Sequence, residues 1–338
     1  MWHLAKIVRL VSTLGAVSVG ENEALCHLPH FGHAKNFVLG MSGGKHWVLL
    51  VASSKGWKDY RDQANVCHAY QVMRQNGIPD EQIVVMMYDD IAYNKKNPDP
   101  GKIINVPNGP DVYTGVPKDY TGEDVSAGNF LAVLRGDSSA VKKTGPKKVI
   151  QSGRNDTVFI YLSDHGLQGS LNFTNSTLHA ADLTDTVKTM ARNGKFSKMV
   201  IYIEACHSGS MLDQLKDSNV YGVSACRPEE KSYSCYYDKR LNTSISTLFS
   251  AYWLQHTEMA KRNTTSFGEQ FSYLKKKVSE TKRQNGDTQT PCNYGDMNIC
   301  NLMLSEFLGE SRDSSQTQER QYDDLKRSQD QPAVCVLA

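Results

Sequence analysis

A histidine and a cysteine lie shortly after the ends of two predicted β-strands. His165 comes after the apolar segment Thr157 to Leu162, and Cys206 comes after the apolar segment Met199 to Ile203. Because ligands gather beyond the carboxyl ends of the strands in a parallel sheet, we expect both side chains at one site. A nearby imidazolium favours the thiolate form of a cysteine and later protonates the leaving group. The pattern therefore predicts Cys206 as a nucleophile and His165 as its acid and base.

Backbone donors for an oxyanion are also available beside these two residues. Gly166 allows a backbone N–H to approach a developing negative charge, and the N–H of Cys206, at the start of a predicted helix, supplies a second donor. The structural alternative is that Cys206 is a buried small apolar residue and that His165 lies at a strand end by chance. The equivalent positions of the two residues favour cysteine hydrolase chemistry.

The elements that must position these residues alternate between strands and helices from Lys45 onward. Short, β-branched apolar runs are typical of buried parallel strands, so we predict an α/β fold with a mostly parallel central sheet and helices on both faces. The predicted strands are His46 to Ala52, Ile83 to Tyr88, Thr157 to Leu162 and Met199 to Ile203. The predicted helices are Tyr60 to Asn76, Asn129 to Arg135, His179 to Arg192, Thr247 to Arg262 and Phe267 to Thr281.

Composition excludes several classes of protein. The chain has 338 residues and a formal charge of +2, which provides no electrostatic basis for binding nucleic acid. No segment approaches the roughly 18 uninterrupted apolar residues that a membrane helix needs. Five prolines and several glycines within residues 94–122 predict a long, ordered surface loop. We predict a catalytic domain over residues 43–309 and a disordered tail over residues 310–338, because the tail contains few large apolar side chains.

The first residues are typical of the secretory pathway. Lys6 and Arg9 precede a modestly apolar run, which predicts a signal peptide over residues 1–20, followed by a leader over residues 21–42. The leader contains Cys26, His27, His30 and His33, but the intervening proline and glycine argue against one helical face, so we predict no metal site. Five N-x-[ST] sequons predict glycosylation at Asn155, Asn172, Asn175, Asn242 and Asn263.

The eight cysteines form no CxxC pair, which excludes zinc ribbons and thioredoxin-type redox sites. Cys292 and Cys300 flank a turn signal, so a hairpin there would allow them to meet, but the sequence does not fix the disulfide pairing.

Long motifs of the chain resemble the legumain family of asparaginyl endopeptidases, peptidase family C13 of the caspase-like clan. The resemblance covers about residues 43–309. It is carried by GKHWV at 44–48, YR at 60–61 with QA at 63–64, CHAYQ at 67–71, NGIPDEQIVVMMYDDIA at 76–92, GVPKDYTGED at 115–124, NFLAVLRGD at 129–137, SDHG at 163–166 and YIEAC at 202–206.

The resemblance implies a caspase-like fold with a central sheet of about six strands, and hydrolysis after asparagine and, in acid, after aspartate. By motif match, His165 is the catalytic acid and base, Cys206 is the nucleophile, and Gly166 with Cys206 forms the oxyanion hole. Arg61, Glu204 and Ser232 occupy positions of the specificity pocket. A cysteine acyl-enzyme mechanism needs no cofactor.

Three positions depart from the family pattern. Asp59 replaces an asparagine that orients the histidine, and a carboxylate there stabilises imidazolium and raises the histidine pKa. Asp62 replaces the pocket histidine, and Thr247 replaces a pocket aspartate that accepts the substrate amide N–H₂. If Asp62 points into the pocket, asparagine remains preferred. If it points away, Arg61 acts alone and aspartate is cut comparably.

These departures leave a second reading open, in which the chain is a pseudoenzyme that binds Asx-containing peptides without cutting them. The related branch of transamidases that attach lipid anchors carries a membrane helix, which this chain lacks. The resemblance further implies protein and peptide substrates, inhibition by cystatin-type proteins, transpeptidation when an amine resolves the acyl-enzyme, a monomeric state, and a lysosomal, endosomal, vacuolar or secreted location. Family zymogens carry a C-terminal helical prodomain, and the sequence after residue 309 resembles only its activation segment.

Overall fold

The computed structural model describes residues 44–142, 147–216, 219–281 and 286–310, and the backbone of Val336–Leu337. The predicted signal peptide, leader and histidine-rich segment lie outside these residues, as does the tail from residue 311 apart from that dipeptide. No helix among the described residues is long and apolar enough to cross a membrane.

A six-stranded sheet forms the centre of the molecule, as predicted. The strands are β1 (His46–Ala52), β2 (Ile83–Met87), β3 (Thr157–Ser163), β7 (Lys198–Glu204), β8 (Val220–Ser224) and β11 (Cys292–Gly295). Their order in the sheet is β11-β8-β7-β3-β1-β2, and every neighbouring pair is parallel except β11 with β8.

Helices cover both faces of the sheet because strands β1, β2, β3 and β7 are largely apolar on both sides. Along β1, Val48 and Leu50 face one core together with Trp253, whereas Leu49 and Val51 face the other core. The helices are α1 (Tyr60–Gln75), α2 (Ala127–Arg135), α3 (Ala180–Arg192), α4 (Leu248–Met259), α5 (Phe267–Glu280) and α6 (Ser305–Leu308). The predicted α/β class is confirmed, and the five predicted helices are found within three residues of their expected bounds.

Two small antiparallel sheets frame the carboxyl edge of the main sheet, and the sequence patterns did not predict them. One follows His165 and consists of β4 (Gly166–Leu167), β5 (Ser170–Phe173) and β6 (Ser176–His179). The other consists of β9 (Tyr233–Asp238), β10 (Thr243–Thr247) and β12 (Val336–Leu337). The backbone of β12 pairs antiparallel with Tyr233 and Ser234.

The segment 94–122 contains turns and a single short bridge, and it packs on the core through Ile103, Val112, Val116 and Tyr120. Cys292 does not pair with Cys300, which the turn signal would have allowed, because Cys292 is a free thiol. The Cys292 sulfur contacts the Thr290 carbonyl oxygen. Cys292 lies in edge strand β11, which pairs with β8 and does not fold into a hairpin of its own.

Candidate active site

The register of β3 and β7 places His165 and Cys206 at equivalent positions of adjacent strands. Ser163 pairs with Glu204, so each of the two functional residues lies two positions beyond a paired residue. The two strand ends approach each other closely at Gly166. A Cβ atom built on Gly166 would lie 2.3 Å from the carbonyl oxygen of Cys206, so only glycine permits this contact. The arrangement brings the backbone of Gly166 against Cys206, as an oxyanion hole formed by both residues requires.

The sulfur of Cys206 is half-buried and lies against Ser232. The backbone N–H of Ser232 points to the sulfur at 3.4 Å, and the Ser232 hydroxyl oxygen lies 3.8 Å from it. An N–H aimed at sulfur stabilises negative charge there. The predicted helix start at Cys206 is corrected: a four-residue 3₁₀ helix begins at Ser208, and His207 between them has a left-handed backbone with φ of 58°.

Asp59 holds the ring of His165. The Asp59 carboxylate oxygen Oδ1 lies 2.9 Å from His165 Nε2. The hydrogen bond to Asp59 raises the pKa of His165, against the opposing effect of burial. Burial opposes ionisation of Asp59, but the hydrogen bond from His165 and the charge of Arg61 outweigh it and hold the pKa of Asp59 below its usual range. Each partner therefore favours the charged form of the other.

Arg61 is the buried cation around which the site is built. It occupies the first turn of α1, and its guanidinium lies 3.3 Å from Asp59, 3.4 Å from His165 Nε2 and 3.9 Å from Asp62. Burial opposes its charge, but Asp62, Asp59 and the buried carboxyl of Glu204 more than offset that cost and raise the Arg61 pKa. Arg61 thus joins the histidine side of the site to the predicted pocket.

The carboxyl group of Asp62 is buried and turned toward Arg61. Ser163 Oγ donates to Asp62 Oδ1 at 2.9 Å, and Ser54 Oγ donates to Asp62 Oδ2 at 3.1 Å. Both oxygens accept hydrogen bonds, which is the pattern of an ionised carboxylate. The ligand atoms of Asp59, Asp62 and His165 lie within 4.8 Å of one another, as in a metal site, but Arg61 already supplies a cation to this cluster.

Two further buried carboxyl groups line the same region. Burial raises the pKa of Glu204 to about 8, so it is protonated in acid and at neutral pH. The nearby Ser232 and Thr247 hydroxyls oppose this rise, yet neither forms a hydrogen bond of ordinary geometry with the carboxyl oxygens. Burial and the charge of Asp62 also raise the pKa of Asp164, which accepts hydrogen bonds from the Ser53 hydroxyl and the His165 backbone N–H.

Thr247 ends β10 and precedes α4. Its hydroxyl oxygen accepts a hydrogen bond from Asn65 at 3.0 Å, and its proton goes to Ser250 at 2.7 Å. Sequence reasoning missed the residues that hold the pocket, namely Ser54, Ser163 and Asn65. In a sequence, a polar residue that supports a binding pocket looks the same as any buried residue that forms ordinary hydrogen bonds. No sequence signal therefore marks these three residues.

A family model described as the peptidase C13 family matches residues 46–310. The chain belongs to this family. Members of the peptidase C13 family, including the legumains, are cysteine-type endopeptidases, which accords with a cysteine and an oriented histidine at the strand ends. Proteins of this class act on protein substrates.

Three relatives illustrate the similarity. Human legumain is 45% identical over 316 residues, which cover 93% of this chain and 67% of that protein. The legumain of Canavalia ensiformis is 43% identical over 79% of this chain and 58% of its own length. The vacuolar-processing enzyme beta-isozyme of Arabidopsis thaliana is 42% identical over 79% of this chain and 56% of its own length. The chain therefore spans about two thirds of the human relative and less of the plant relatives.

Among solved structures, caspase-1 from Spodoptera frugiperda resembles the chain with a TM-score of 0.45 and 11% identity, over 80% of this chain and 92% of that chain.

Proposed function

We propose that this member of the peptidase C13 family hydrolyses peptide bonds after asparagine, and after aspartate in acid, through a Cys206 acyl-enzyme. The observation that carries the proposal is the alignment of His165 and Cys206 across β3 and β7, with Asp59 holding the histidine at 2.9 Å. A histidine held in place by a carboxylate, at the end of the strand next to that of a cysteine, is the arrangement that acyl transfer by a cysteine requires.

The reaction proceeds in two halves. The Cys206 thiol passes its proton to His165 as the sulfur attacks the carbonyl carbon, and the negative oxygen that forms is stabilised by the backbone N–H groups of Gly166 and Cys206. The C–N bond then breaks, and the leaving amine takes its proton from His165. In the second half, His165 accepts a proton from water as the water oxygen attacks the thioester, which releases the carboxylic acid and the thiol. An amine that attacks in place of water gives transpeptidation.

The pocket for the substrate side chain is built from Arg61 and Asp62. The guanidinium of Arg61 donates to a side-chain oxygen, and the carboxylate of Asp62 accepts from the amide N–H₂ of asparagine. A protonated aspartate offers the same combination of acceptor and donor, whereas an ionised aspartate is repelled by Asp62. The burial of Asp62 next to Arg61 supports its role as a replacement for the acid that Thr247 lacks.

The proposal is tested with a mixed peptide pool at pH 5 and pH 7. We expect cleavage after asparagine at both pH values and after aspartate mainly at pH 5. In Asp62→Ala, the preference for asparagine over aspartate should fall about ten-fold or more, since one unmatched buried amide costs about 1–3 kcal/mol. Thr247→Asp should raise it. Selectivity that Asp62→Ala leaves unchanged contradicts the assigned role of Asp62.

We further propose that the chain is a glycosylated protein of the secretory pathway that acts in an acidic lysosomal or vacuolar compartment. All five predicted glycosylation sites have exposed asparagines, which supports modification there. The sites are Asn155, Asn172, Asn175, Asn242 and Asn263. Digestion of the secreted protein with an N-glycosidase should lower its mass in discrete steps, and an unchanged mass would contradict the proposal.

A further inference from the structure

The Asp62 carboxylate is oriented by a hydroxyl whose own direction is fixed by a neighbour. Ser163 has one hydroxyl proton, and Asp62 Oδ1 receives it at 2.9 Å. The Ser163 oxygen accepts a hydrogen bond from the Asn65 side-chain amide at 3.2 Å. Because that N–H points at the oxygen, the Ser163 proton points away from Asn65, and the Asp62 carboxylate oxygen accepts it.

Asn65 uses all four hydrogen bonds that its side-chain amide can make. Its Nδ2 donates to Ser163 and to Thr247, and its Oδ1 accepts from Asn105 Nδ2 and from the Ser246 hydroxyl, both at 2.9 Å. The side chain is completely buried, so water does not compete for these partners. A side chain with this full set has a single orientation.

The orientation of the Asn65 amide follows from the Ile245 backbone carbonyl, which can only accept a hydrogen bond. Asn105 Nδ2 also donates to the Ile245 backbone carbonyl at 2.8 Å, so the nitrogen side of Asn105 faces Asn65. The oxygen side of Asn105 faces His68 Nδ1 at 2.8 Å, and His68 Nε2 lies 3.0 Å from Glu258. Both ring nitrogens of His68 meet oxygen acceptors, so the ring donates twice, as an imidazolium does. From His68 Nδ1 through Asn105, Asn65 and Ser163, one donor at each step points toward Asp62.

We infer that Asn65 is a positioning residue for substrate selection, because its amide forces the Ser163 hydroxyl to donate to Asp62 and so presents Asp62 to the substrate as an acceptor. The inference rests on the proposed function, in which Asp62 receives the amide N–H₂ of asparagine. A carboxylate at position 65 has no N–H, so it leaves the Ser163 proton free to turn away from Asp62. It also brings a second negative charge toward Asp62.

The test is the Asn65→Asp variant, assayed with matched asparagine and aspartate peptides at pH 5 and pH 7. We expect the ratio of kcat/KM for the asparagine peptide to kcat/KM for the aspartate peptide to fall about ten-fold. This loss should come from a change in KM, and kcat for the asparagine peptide should stay within about three-fold of wild type. Alkylation of Cys206 by iodoacetamide should proceed at the wild-type rate. A general loss of structure would instead lower both substrates together and slow the labelling.

Two further variants keep the inference falsifiable if Asn65→Asp does not fold. Ser163→Ala removes the hydroxyl between Asn65 and Asp62 and should reproduce the loss of selectivity. Ser246→Ala removes a different partner of the same Asn65 amide and should retain wild-type selectivity. The inference is overturned if Ser163→Ala keeps the wild-type ratio or if Ser246→Ala lowers the ratio equally. Absence of cleavage after asparagine by the wild-type protein would instead refute the proposed function.

Discussion

Replacement of Asp59 should shift the pH dependence of the reaction. The Asp59 carboxylate lies 2.9 Å from His165 Nε2 and raises the histidine pKa, so its removal lowers that pKa. A hydrogen bond to a charged group contributes about 1.5–3 kcal/mol, and 1.36 kcal/mol corresponds to one pKa unit. Because the His165 side chain is 39% exposed, solvent screens the interaction, so we expect its contribution to lie at the low end of that range.

The sign of the shift follows from the mechanism. The leaving amine takes its proton from the imidazolium, so activity is lost as pH rises through the pKa of His165. A lower pKa therefore moves the upper limb of the profile to lower pH. Arg61 strengthens the effect, because without Asp59 its charge, 3.4 Å from the ring nitrogen, further disfavours the imidazolium. The stability that the His165–Asp59 pair contributes should likewise be lost as pH rises through the histidine pKa.

The assay measures kcat and kcat/KM for an asparagine peptide from pH 4 to pH 8. Asp59→Ala should lower kcat more than Asp59→Asn does, because an asparagine oxygen still accepts the Nε2 hydrogen and orients the ring. Both variants should move the upper limb to lower pH. The control is Asp182→Ala, which removes an equal charge at an exposed position of α3. Upper limbs that coincide for wild type and Asp59→Ala would refute the reasoning.

Two other predictions concern the buried carboxyl and the glycine of the site. Burial raises the pKa of Glu204 from its ordinary value of 4.5 to about 8 in the folded protein. The free energy of unfolding should therefore fall as pH rises from about 4.5 to about 8. Melting temperatures of Glu204→Gln should fall less over this range, whereas those of the exposed control Glu280→Gln should follow wild type; equal slopes for all three proteins contradict the argument. Gly166→Ala should lower kcat more than about ten-fold, because the new Cβ would lie 2.3 Å from the Cys206 carbonyl oxygen and displace the backbone. Wild-type kcat in this variant would show that the close approach is not needed.

The central sheet was readable from the sequence because burial on both faces leaves a plain signal. Residues 47–52 form an uninterrupted apolar run, and the structure has the strand His46–Ala52 there. The strand ends at His165 and Cys206 follow from the same logic. In contrast, β9 and β10 mix serine, threonine and tyrosine with few aliphatic residues, so their pattern carries no clear period.

The parts of the site that the sequence could not provide depend on contacts between distant elements. Asp62 is joined to Ser163 across 101 residues, and Asn65 is joined to Thr247 across 182 residues. Residue propensities and motif spacing depend on neighbours along the chain, so they cannot predict partners that are distant in sequence. The same limit explains the failed pairing of Cys292 with Cys300, since pairing of β11 with β8 decides where Cys292 lies.

The most direct test of the central claim is to label the folded protein with an asparagine peptide that carries a thiol-reactive group and to map the adduct by mass spectrometry. The account predicts one adduct, on Cys206, that excess asparagine peptide prevents. The adduct should be absent from Cys206→Ala and retained in Cys226→Ala, whose thiol is buried. An unreactive Cys206 in a folded sample that still binds the peptide would contradict the account and favour a protein that binds without cutting.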